Sequence, residues 1–422
     1  MGIDQLAAIA IFAVTYFLIA SEKIDRTIAA MLGAAAVMAA GIVSSEELLE
    51  VIDVHAIGLL FGMMIIVGVL REAQFFRYVG ILLANFCGCQ PKKMFILFTT
   101  VTALLSAILD NVTTVLFMIA VTIEIMRILE IDPTPFVFGE IMACNIGGTA
   151  TLIGDPPNIM IASAAGLSFM DFIVNVAPIA IVAMFFSLGV LLLLYKTQLQ
   201  IEPRYSRIPI DPSEVITDHR MFRLGIAVLA ITLVLFFLHD LLHIDPSTIA
   251  LGSALLLLAI GGSKMSQVLE DVEWRTLLFF ACLFVVVGGL EKTGVISMAA
   301  QWLAAAIGEN QLLAVIAVLW VSAFASALID NIPFVAAFIP LLIDMAATGG
   351  LEIRELWWAL SIGAGFGGNG TPVGSSANIV AIGVFEKSGY AITFKTFVKI
   401  GLLNMLITTA IASLFLFVRA SV

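Results

Sequence analysis

The sequence predicts an all-α polytopic membrane protein of two inverted repeats, each with five transmembrane helices and one re-entrant hairpin, and with broken helices at mid-membrane. Three observations predict it: an apolar composition, apolar runs long enough to cross a bilayer, and motifs that occur twice at a constant offset. Of 422 residues, 61% are hydrophobic and 12% are charged, whereas a soluble domain is about half apolar and a quarter charged. This composition excludes a soluble enzyme and a disordered chain. The net charge of −11 argues against nucleic acid as a partner.

Apolar runs long enough to cross a hydrocarbon core of ~30 Å recur along the whole chain. They lie at 4–20, 28–43, 55–70, 73–88, 176–196, 222–240, 247–262, 276–290 and 397–418. Two longer runs, 94–129 and 312–347, carry Asp-Asn at their centres and are expected to form re-entrant hairpins. Two more runs, 136–166 and 356–386, have Gly- and Pro-rich centres and are expected to form broken helices.

The basic residues orient this topology. If both hairpins return to the side they left and 73–88 lies along the surface, ten helices cross and both termini lie outside. All Lys and Arg residues except Lys292, Arg354 and Arg419 then lie on the cytoplasmic side, as the positive-inside rule requires. We therefore expect a multi-pass protein of the cell membrane, surrounded by lipid.

An internal repeat relates the two halves. Adding 220 to a residue number in the first half gives its counterpart in the second: Asp110-Asn111 corresponds to Asp330-Asn331. Both halves also contain Gly-Gly-x-x-Thr-x-x-Gly-x-x-x-Asn, beginning at Gly147 and Gly367. Because five crossings is an odd number, the second half enters the membrane in the opposite orientation, which is typical of secondary transporters. The predicted domains are an N-terminal repeat at 1–196, a cytoplasmic linker at 197–220 and a C-terminal inverted repeat at 221–422.

The hairpin tips and the breaks are expected to meet and to form the binding region. Proline removes a backbone donor and glycine permits turns, so the unpaired backbone groups of a break have to be buried or line a wet cavity. The neutral polar side chains here are candidate contacts for the transported solute, and hydrogen bonding between helices is the alternative. They are Asn111, Thr113, Thr149, Thr151, Asn158, Asn331, Asn369, Thr371, Ser375, Ser376 and Asn378.

Four acidic residues are candidate proton or cation sites. Asp110 and Asp330 lie at the tips, where a charged Asp costs ~2.5–3.5 kcal/mol on insertion scales and is a functional candidate by default. Helix capping explains a polar residue there but not a charged one, because Ser or Asn would cap at lower cost. Asp155, which corresponds to Ser375, is either a single proton or cation site or a helix cap. Glu140 is either a proton relay or a residue at the cytoplasmic interface.

Cysteine and histidine indicate no cofactor or metal site. Cys144 immediately precedes the first break and is a candidate thiol contact for a thiophilic solute, with a small apolar filler as the alternative. Four cysteines do not make a disulfide framework, and the four histidines form no metal set. No Gly-x-x-x-x-Gly-Lys phosphate loop occurs, so any ATPase would be a separate chain.

The motifs of the first half resemble those of the ion transporter superfamily. They are Ala-Ile-Leu-Asp110-Asn111-Val-Thr113-Thr114 and Gly147-Gly148-Thr149-Ala-Thr151-Leu-Ile-Gly154-Asp155-Pro156-Pro157-Asn158. The most similar branch joins arsenite/antimonite efflux pumps, NhaD-type sodium–proton antiporters and the melanosomal P protein. The resemblance implies a scaffold domain, a transport domain that contains both hairpins and both broken helices, and an elevator-like motion.

Three transport functions stay open at the level of sequence. The resemblance implies proton-coupled efflux of arsenite or antimonite, for which Asp110 or Asp330 would carry the proton. Sodium–proton antiport is the alternative, because two acids and the carbonyls of broken helices also suit Na⁺. Dicarboxylate or other anion transport is a minor alternative, because two fixed acids would repel a dianion. The spans carry no His-Glu or Ser-Lys pair of an enzyme, while a channel served by a separate ATPase and the oligomeric state also stay open.

Overall fold

The computed structural model describes residues 2–21, 23–262, 265–308 and 310–420, and within these ranges the protein is all-α without a β-strand. Lys264, one of the basic residues assigned to the cytoplasmic side, lies outside the described residues. The helices of the first half are α1 Ile3–Ser21, α2 Arg26–Ala39, α3 Leu48–Val51, α4 Val54–Glu72, α5 Phe75–Phe86, α6 Pro91–Ser106, α7 Asn111–Leu129, α8 Thr134–Thr149, α9 Pro156–Ala165, α10 Phe169–Asn175 and α11 Ala177–Leu194. Those of the second half are α12 His219–Leu242, α13 Pro246–Ile260, α14 Met265–Glu270, α15 Trp274–Lys292, α16 Val295–Ile307, α17 Gln311–Leu328, α18 Asn331–Gly349, α19 Ile353–Gly367, α20 Ser376–Lys387 and α21 Phe394–Ala420. Two short 3-10 helices, Gln198–Gln200 and Pro212–Val215, lie in the linker.

Among the described residues, nine helical stretches are long and apolar enough to cross a membrane. Six of them, α1, α4, α11, α12, α15 and α21, correspond to predicted crossing helices, which confirms that this is a multi-pass membrane protein. The other three, α7, α17 and α18, are arms of the predicted hairpins. Length alone does not separate a re-entrant arm from a crossing helix, so the re-entrant hairpins stay a prediction.

The helix boundaries follow the repeat. Shifted by 220, the bounds of α4 coincide with those of α15, and the bounds of α7 coincide with those of α18. Packing partners are exchanged in the same way: α2 packs on α15 as α13 packs on α4, and α6 packs on α8 as α17 packs on α19. This exchange is what an approximate two-fold relation between the halves would produce. The opposite orientation of the halves in the membrane, and the domain boundaries at 196 and 221, stay predictions.

The helices that precede the breaks, α8 and α19, lie at the centre of the molecule. Every residue of α8 from Pro135 to its end is buried, and so is every residue of α19 from Leu356 to its end. Glycines permit this close packing: a Cβ at Gly147 would overlap the Ala103 backbone of α6, and a Cβ at Gly365 would overlap the Thr149 side chain. The two breaks are thereby held side by side.

Three local features differ from the sequence prediction or add to it. Helix α8 continues through Gly147 and Gly148, so the first break is shorter than predicted and spans 150–155. Helix α16 was not among the predicted runs because it is too short to span. Its counterpart α5 has 12 residues, about 18 Å at 1.5 Å per residue, which is also too short to cross.

Candidate functional site

Each hairpin tip packs against the break of its own half, as predicted. In the first half, the Ser106 hydroxyl donates to the Cys144 carbonyl over 2.8 Å, and the Thr151 hydroxyl donates to the Ala107 carbonyl. The corresponding bonds of the second half are Ser326 Oγ to the Ala364 carbonyl at 2.6 Å and Thr371 Oγ1 to the Ala327 carbonyl at 2.6 Å. The same residue types therefore fasten both tips.

Two asparagines satisfy the unwound backbone of the breaks. The Asn158 Nδ2 group lies 3.3, 3.0 and 2.8 Å from the carbonyl oxygens of Gly148, Thr149 and Thr151. Its counterpart Asn378 donates to the carbonyls of Gly368 and Thr371 over 2.7 and 2.9 Å. Buried carbonyl groups need such partners. Hydrogen bonding within the protein, which was the alternative to solute contact, therefore accounts for the Nδ2 groups of both asparagines.

Hydrogen bonds between the halves join the two breaks. The Asn145 Nδ2 group donates to the Oδ1 atoms of Asn369 and Asn378, each over 2.9 Å. From the other side, the Ser361 hydroxyl donates to Asn158 Oδ1 over 2.7 Å. Ser361 was not identified from the sequence, because a Ser in the middle of an apolar helix gives no distinctive signal. The breaks form one connected polar centre.

The tip carboxylates cap the helices that follow them. Asp110 Oδ1 accepts from the Thr113 N–H over 2.8 Å, and Asp330 Oδ1 accepts from the Ile332 N–H over 3.0 Å. The sequence argument considered capping as an alternative for the asparagines and set it aside for the Asp residues, and it was wrong on this point, because the Asp occupies the N-cap position and the Asn begins the helix. Capping uses one oxygen of each carboxylate, and the second oxygen is left for other partners.

Asp155 lies between the two tips. It is buried and occupies the N-cap position of α9, but its side chain makes no capping bond to that helix. Its Oδ2 atom accepts instead from Asn331 Nδ2 of the second tip over 3.0 Å. The carboxyl groups of Asp330 and Asp110 are close enough for their charges to act on it. The side chain of Asp155 therefore does not cap α9, which was the alternative to a proton or cation site.

The second oxygen of Asp330 faces a basic residue that sequence reasoning missed. Arg26 Nη1 lies 3.3 Å from Asp330 Oδ2, and the Ser376 hydroxyl contacts both groups. Arg26 was counted only as a cytoplasmic loop charge. One signal was available: its counterpart under the 220 offset is Pro246, so the cation is present in one half only.

Four buried polar atoms near the first tip have no hydrogen-bond partner among the described residues. They are Asp110 Oδ2, Asn111 Nδ2, Thr114 Oγ1 and Asn145 Oδ1. Leaving a buried polar group unpaired costs ~1–3 kcal/mol. The first tip therefore offers both acceptors and a donor to a solute or an ion.

The remaining candidates lie around these groups. Glu140 is completely buried, and its Oε1 accepts from the Thr122 hydroxyl over 2.6 Å, so it is not exposed at an interface. Its Oε2 atom has no partner among the described residues. The Cys144 thiol lies 3.2 Å from the Asn111 carbonyl oxygen. Ser375 is buried at the N-cap position of α20 without a side-chain capping bond.

Two cavities approach this centre from positions related by the repeat. A cavity of ≈ 340 Å³ is lined by Asp25, Arg26, Asp330, Ser376 and Ile379, among others. A cavity of ≈ 400 Å³ is lined by the counterparts Asp245, Pro246 and Ile159, together with His55 and His239 and other residues. The first cavity reaches a tip carboxylate. The residues that line the second cavity include Leu152 and Ile159 but neither Asp110 nor Asp155.

Comparison with known proteins identifies a family model and several transporters to which this chain is similar. A family model described as a citrate transporter matches residues 16–363. An uncharacterized transporter of Mycobacterium tuberculosis is 40% identical over 98% of this chain and 98% of its own length. The P protein of Homo sapiens is 33% identical over 97% of this chain and 59% of its own length. The match to the P protein confirms the resemblance read from the motifs.

A solved transporter has a similar fold. The crystal structure of the Alcanivorax borkumensis YdaH transporter, described as having an unusual topology, matches 99% of this chain and 98% of its own with a TM-score of 0.60. The sequence identity is 14%, so this likeness concerns the fold alone.

Proposed function

This chain belongs to the citrate transporter family of the ion transporter superfamily, and from that membership we propose that it is a secondary active transporter that exchanges its cargo for protons. Transport is the function named for the family and for the mycobacterial relatives, which favours a transporter over an enzyme. We also propose a location in the cell membrane with both termini outside, on the distribution of basic residues.

The observation that carries proton coupling is the position of Asp155 between the two tips. Its buried carboxyl group is bonded to Asn331 and is close to the carboxylates of Asp110 and Asp330. Arg26 pairs with Asp330. Burial and neighbouring like charges both favour the protonated form of a carboxyl group, and an opposite charge favours the ionised form. Asp155 and Asp110 are therefore the coupling groups that are free of a counter-ion in this arrangement, and Asp330 becomes available to a cation only when its pair with Arg26 opens.

An elevator-like alternating-access motion agrees with the pattern of helix packing. Helices α6 to α9 and α17 to α20 contact one another across the halves, through α7 with α20, α9 with α18 and α8 with α19. Helices α1, α2, α4, α12, α13 and α15 form a second set with its own contacts across the halves, such as α2 with α15 and α4 with α13. We propose that the first set is the transport domain and the second set the scaffold.

As cargo we propose arsenite or antimonite, moving outward. Near neutral pH arsenite is an uncharged tris-hydroxy species, so it adds no further charge to a site that already holds several acids. The unpaired atoms of the site, Asn111 Nδ2, Asn145 Oδ1 and Asp110 Oδ2, include the donor and the acceptors that hydroxyl groups require. Cys144, beside the same tip, supports a thiophilic cargo.

A specific observation favours Na⁺ as a second candidate. The unpaired acceptors Asp110 Oδ2 and Asn145 Oδ1 are oxygens beside an unwound backbone, and unwound backbone carbonyls of broken helices coordinate Na⁺ in other secondary transporters. The chain would then be a sodium–proton antiporter. A citrate-like anion, as the family description names, would meet several acids and the single Arg26–Asp330 pair, so the charge of the site favours it least.

One transport experiment separates these cargoes. Purified full-length protein is reconstituted in liposomes with an inside-acid pH gradient, and dissipation of the gradient is measured on adding arsenite, antimonite, Na⁺, succinate or citrate outside. Dissipation by arsenite and antimonite supports the proposed cargo, and dissipation by Na⁺ alone assigns the antiport. A gradient that none of the solutes changes would contradict proton coupling.

A further inference from the structure

Three side chains bind the second hairpin tip in a way that the first tip does not repeat. Arg26 of α2 pairs with Asp330, and Tyr16 of α1 donates from its hydroxyl to the Pro333 carbonyl. Ser376 at the start of α20 bridges Arg26 and Asp330. The counterparts of Tyr16, Arg26 and Ser376 under the 220 offset are Phe236, Pro246 and Pro156. None of these counterparts has a side chain that could form the same bond.

Arg26 is placed to act on Asp330 and is not an incidental surface charge. Its guanidinium lies 5.3 Å from the ring centre of Phe279 on α15, which fixes its direction. Its side chain is 30% exposed and that of Asp330 is 9% exposed. Both groups line the ≈ 340 Å³ cavity, so an ion that enters the cavity reaches the pair.

The other charged groups at this end have partners of their own. Asp25 caps α2 and pairs with Arg275 across 3.3 Å. Glu273, at the N-cap of α15, accepts from the Thr276 hydroxyl over 2.9 Å and is also within reach of the charge of Arg26. Arg26 is thus the basic group in contact with the second tip among the residues described.

Resting on the proposed function, we propose that Arg26 is an intramolecular counter-ion that holds the second tip to the scaffold and is displaced when a coupling cation reaches Asp330. The pair joins α2, assigned to the scaffold, to α18 and α20, assigned to the transport domain. A sliding transport domain has to break this contact. A cation that neutralises Asp330 removes the attraction for Arg26 and thereby couples ion binding to release.

The test uses a single added thiol as a reporter of the cavity. Ile379 lines the cavity and is 42% exposed, and Ile379→Cys is labelled in membranes with a polar maleimide. The unsubstituted protein gives the background, since three of its four cysteines are buried and Cys282 is half-buried. Labelling rates are compared with Na⁺ or choline, and at acidic or alkaline pH.

We expect Arg26→Gln to lower the rate at which Ile379→Cys is labelled by about threefold to tenfold, the scale of losing one partly buried ion pair. The rate should fall because a tip that is no longer held to the scaffold leaves the position in which this cavity is open. The labelling rate of this variant should also no longer depend on Na⁺ or pH. Arg26→Lys should keep the parent behaviour because it keeps the charge. Arg275→Gln is the matched control, because it removes an arginine at the same end that does not touch the tip. Asp330→Asn should match Arg26→Gln, and the double variant should add nothing further.

Equal labelling of Arg26→Gln and Arg275→Gln would overturn the role of Arg26. This outcome is distinct from failure of the proposed function, since labelling needs no transport. Wild-type liposomes that dissipate no pH gradient would contradict proton coupling, whatever the labelling shows. Thermal melting of each variant in detergent identifies any that are simply misfolded, and Arg26→Lys then provides the comparison.

Discussion

Asn331 Nδ2 donates to Asp155 Oδ2 over 3.0 Å and so links the hairpin tip of one half to the broken helix of the other. The bond crosses the repeat: its donor belongs to the second tip and its acceptor belongs to the first break. At the position equivalent to Asp155 the second break has Ser375. The site is therefore asymmetric, with the additional acid placed where both halves reach it.

Gly148→Ala is expected to impair both folding and transport. A Cβ at this position would overlap the carboxamide of Asn111, which lies against the break. Overpacking of this kind costs roughly 1–3 kcal/mol and would displace the first tip. Thermal melting in detergent and liposome transport measure the two effects. Gly189→Ala is the control, because its Cβ would have no neighbour within 4 Å; equal behaviour of the two variants would contradict the proposed packing.

Asn378→Ala is expected to lower stability before it alters cargo preference. The substitution unpairs the carbonyls of Gly368 and Thr371 and removes the acceptor used by Asn145. Each buried group left unpaired costs about 1–3 kcal/mol, so the melting temperature should fall by several degrees. Asn158→Ala should behave likewise. An unchanged melting temperature with weakened cargo binding would assign these asparagines to the cargo instead.

Glu140→Gln tests the proposed proton relay. Glu140 is buried beside Thr122, and Gln can accept the same hydrogen bond without carrying a proton. We expect proton-driven turnover to fall by roughly tenfold or more, as for a lost proton-transfer group, with little change in half-saturating cargo concentration. Thr122→Val, which removes only the hydrogen bond, is the comparison. Normal turnover of Glu140→Gln would make this acid a structural residue.

The ion pair between Glu47 and Lys292 should persist to low pH. The bond from Lys292, together with the Ser44 N–H, lowers the pKa of Glu47 from 4.5 to about 2. A lowered pKa in the folded state adds stability that is fully present above the ordinary value and is lost as pH falls from there through about 2. The difference in melting temperature between wild type and Glu47→Gln should thus be constant above that window and shrink within it. Glu46→Gln is the neighbouring control, and a difference that already vanishes at neutral pH would contradict the assignment.

Much of the fold could be predicted because the repeat is encoded residue by residue. The Asp-Asn pairs marked the starts of α7 and α18, and prolines marked the start of α9. Apolar runs located the long helices. The short helix α16 escaped prediction, since no bilayer-length run marks a helix that does not cross.

The sequence identified most residues of the candidate site, but it predicted the roles of these residues less well. Asp155, Asp110 and Asp330 were identified because acids are costly in an apolar segment. The sequence could not show that Asn158 and Asn378 bond to unwound carbonyls, because this depends on how far each helix unwinds. Nor could it show that Arg26 turns inward to Asp330, because a basic residue between two helices also fits an ordinary cytoplasmic loop.

The central claim, that Asp155 couples protons to transport, is tested most directly by pH-gradient dissipation in liposomes containing Asp155→Asn. Asn can still bond to Asn331, so the fold and the junction should be retained, and the exposed linker variant Asp211→Asn serves as the control. We predict that Asp155→Asn melts like wild type and does not dissipate the gradient on addition of the cargo, while Asp211→Asn does so at the wild-type rate. Wild-type dissipation by Asp155→Asn would contradict the account.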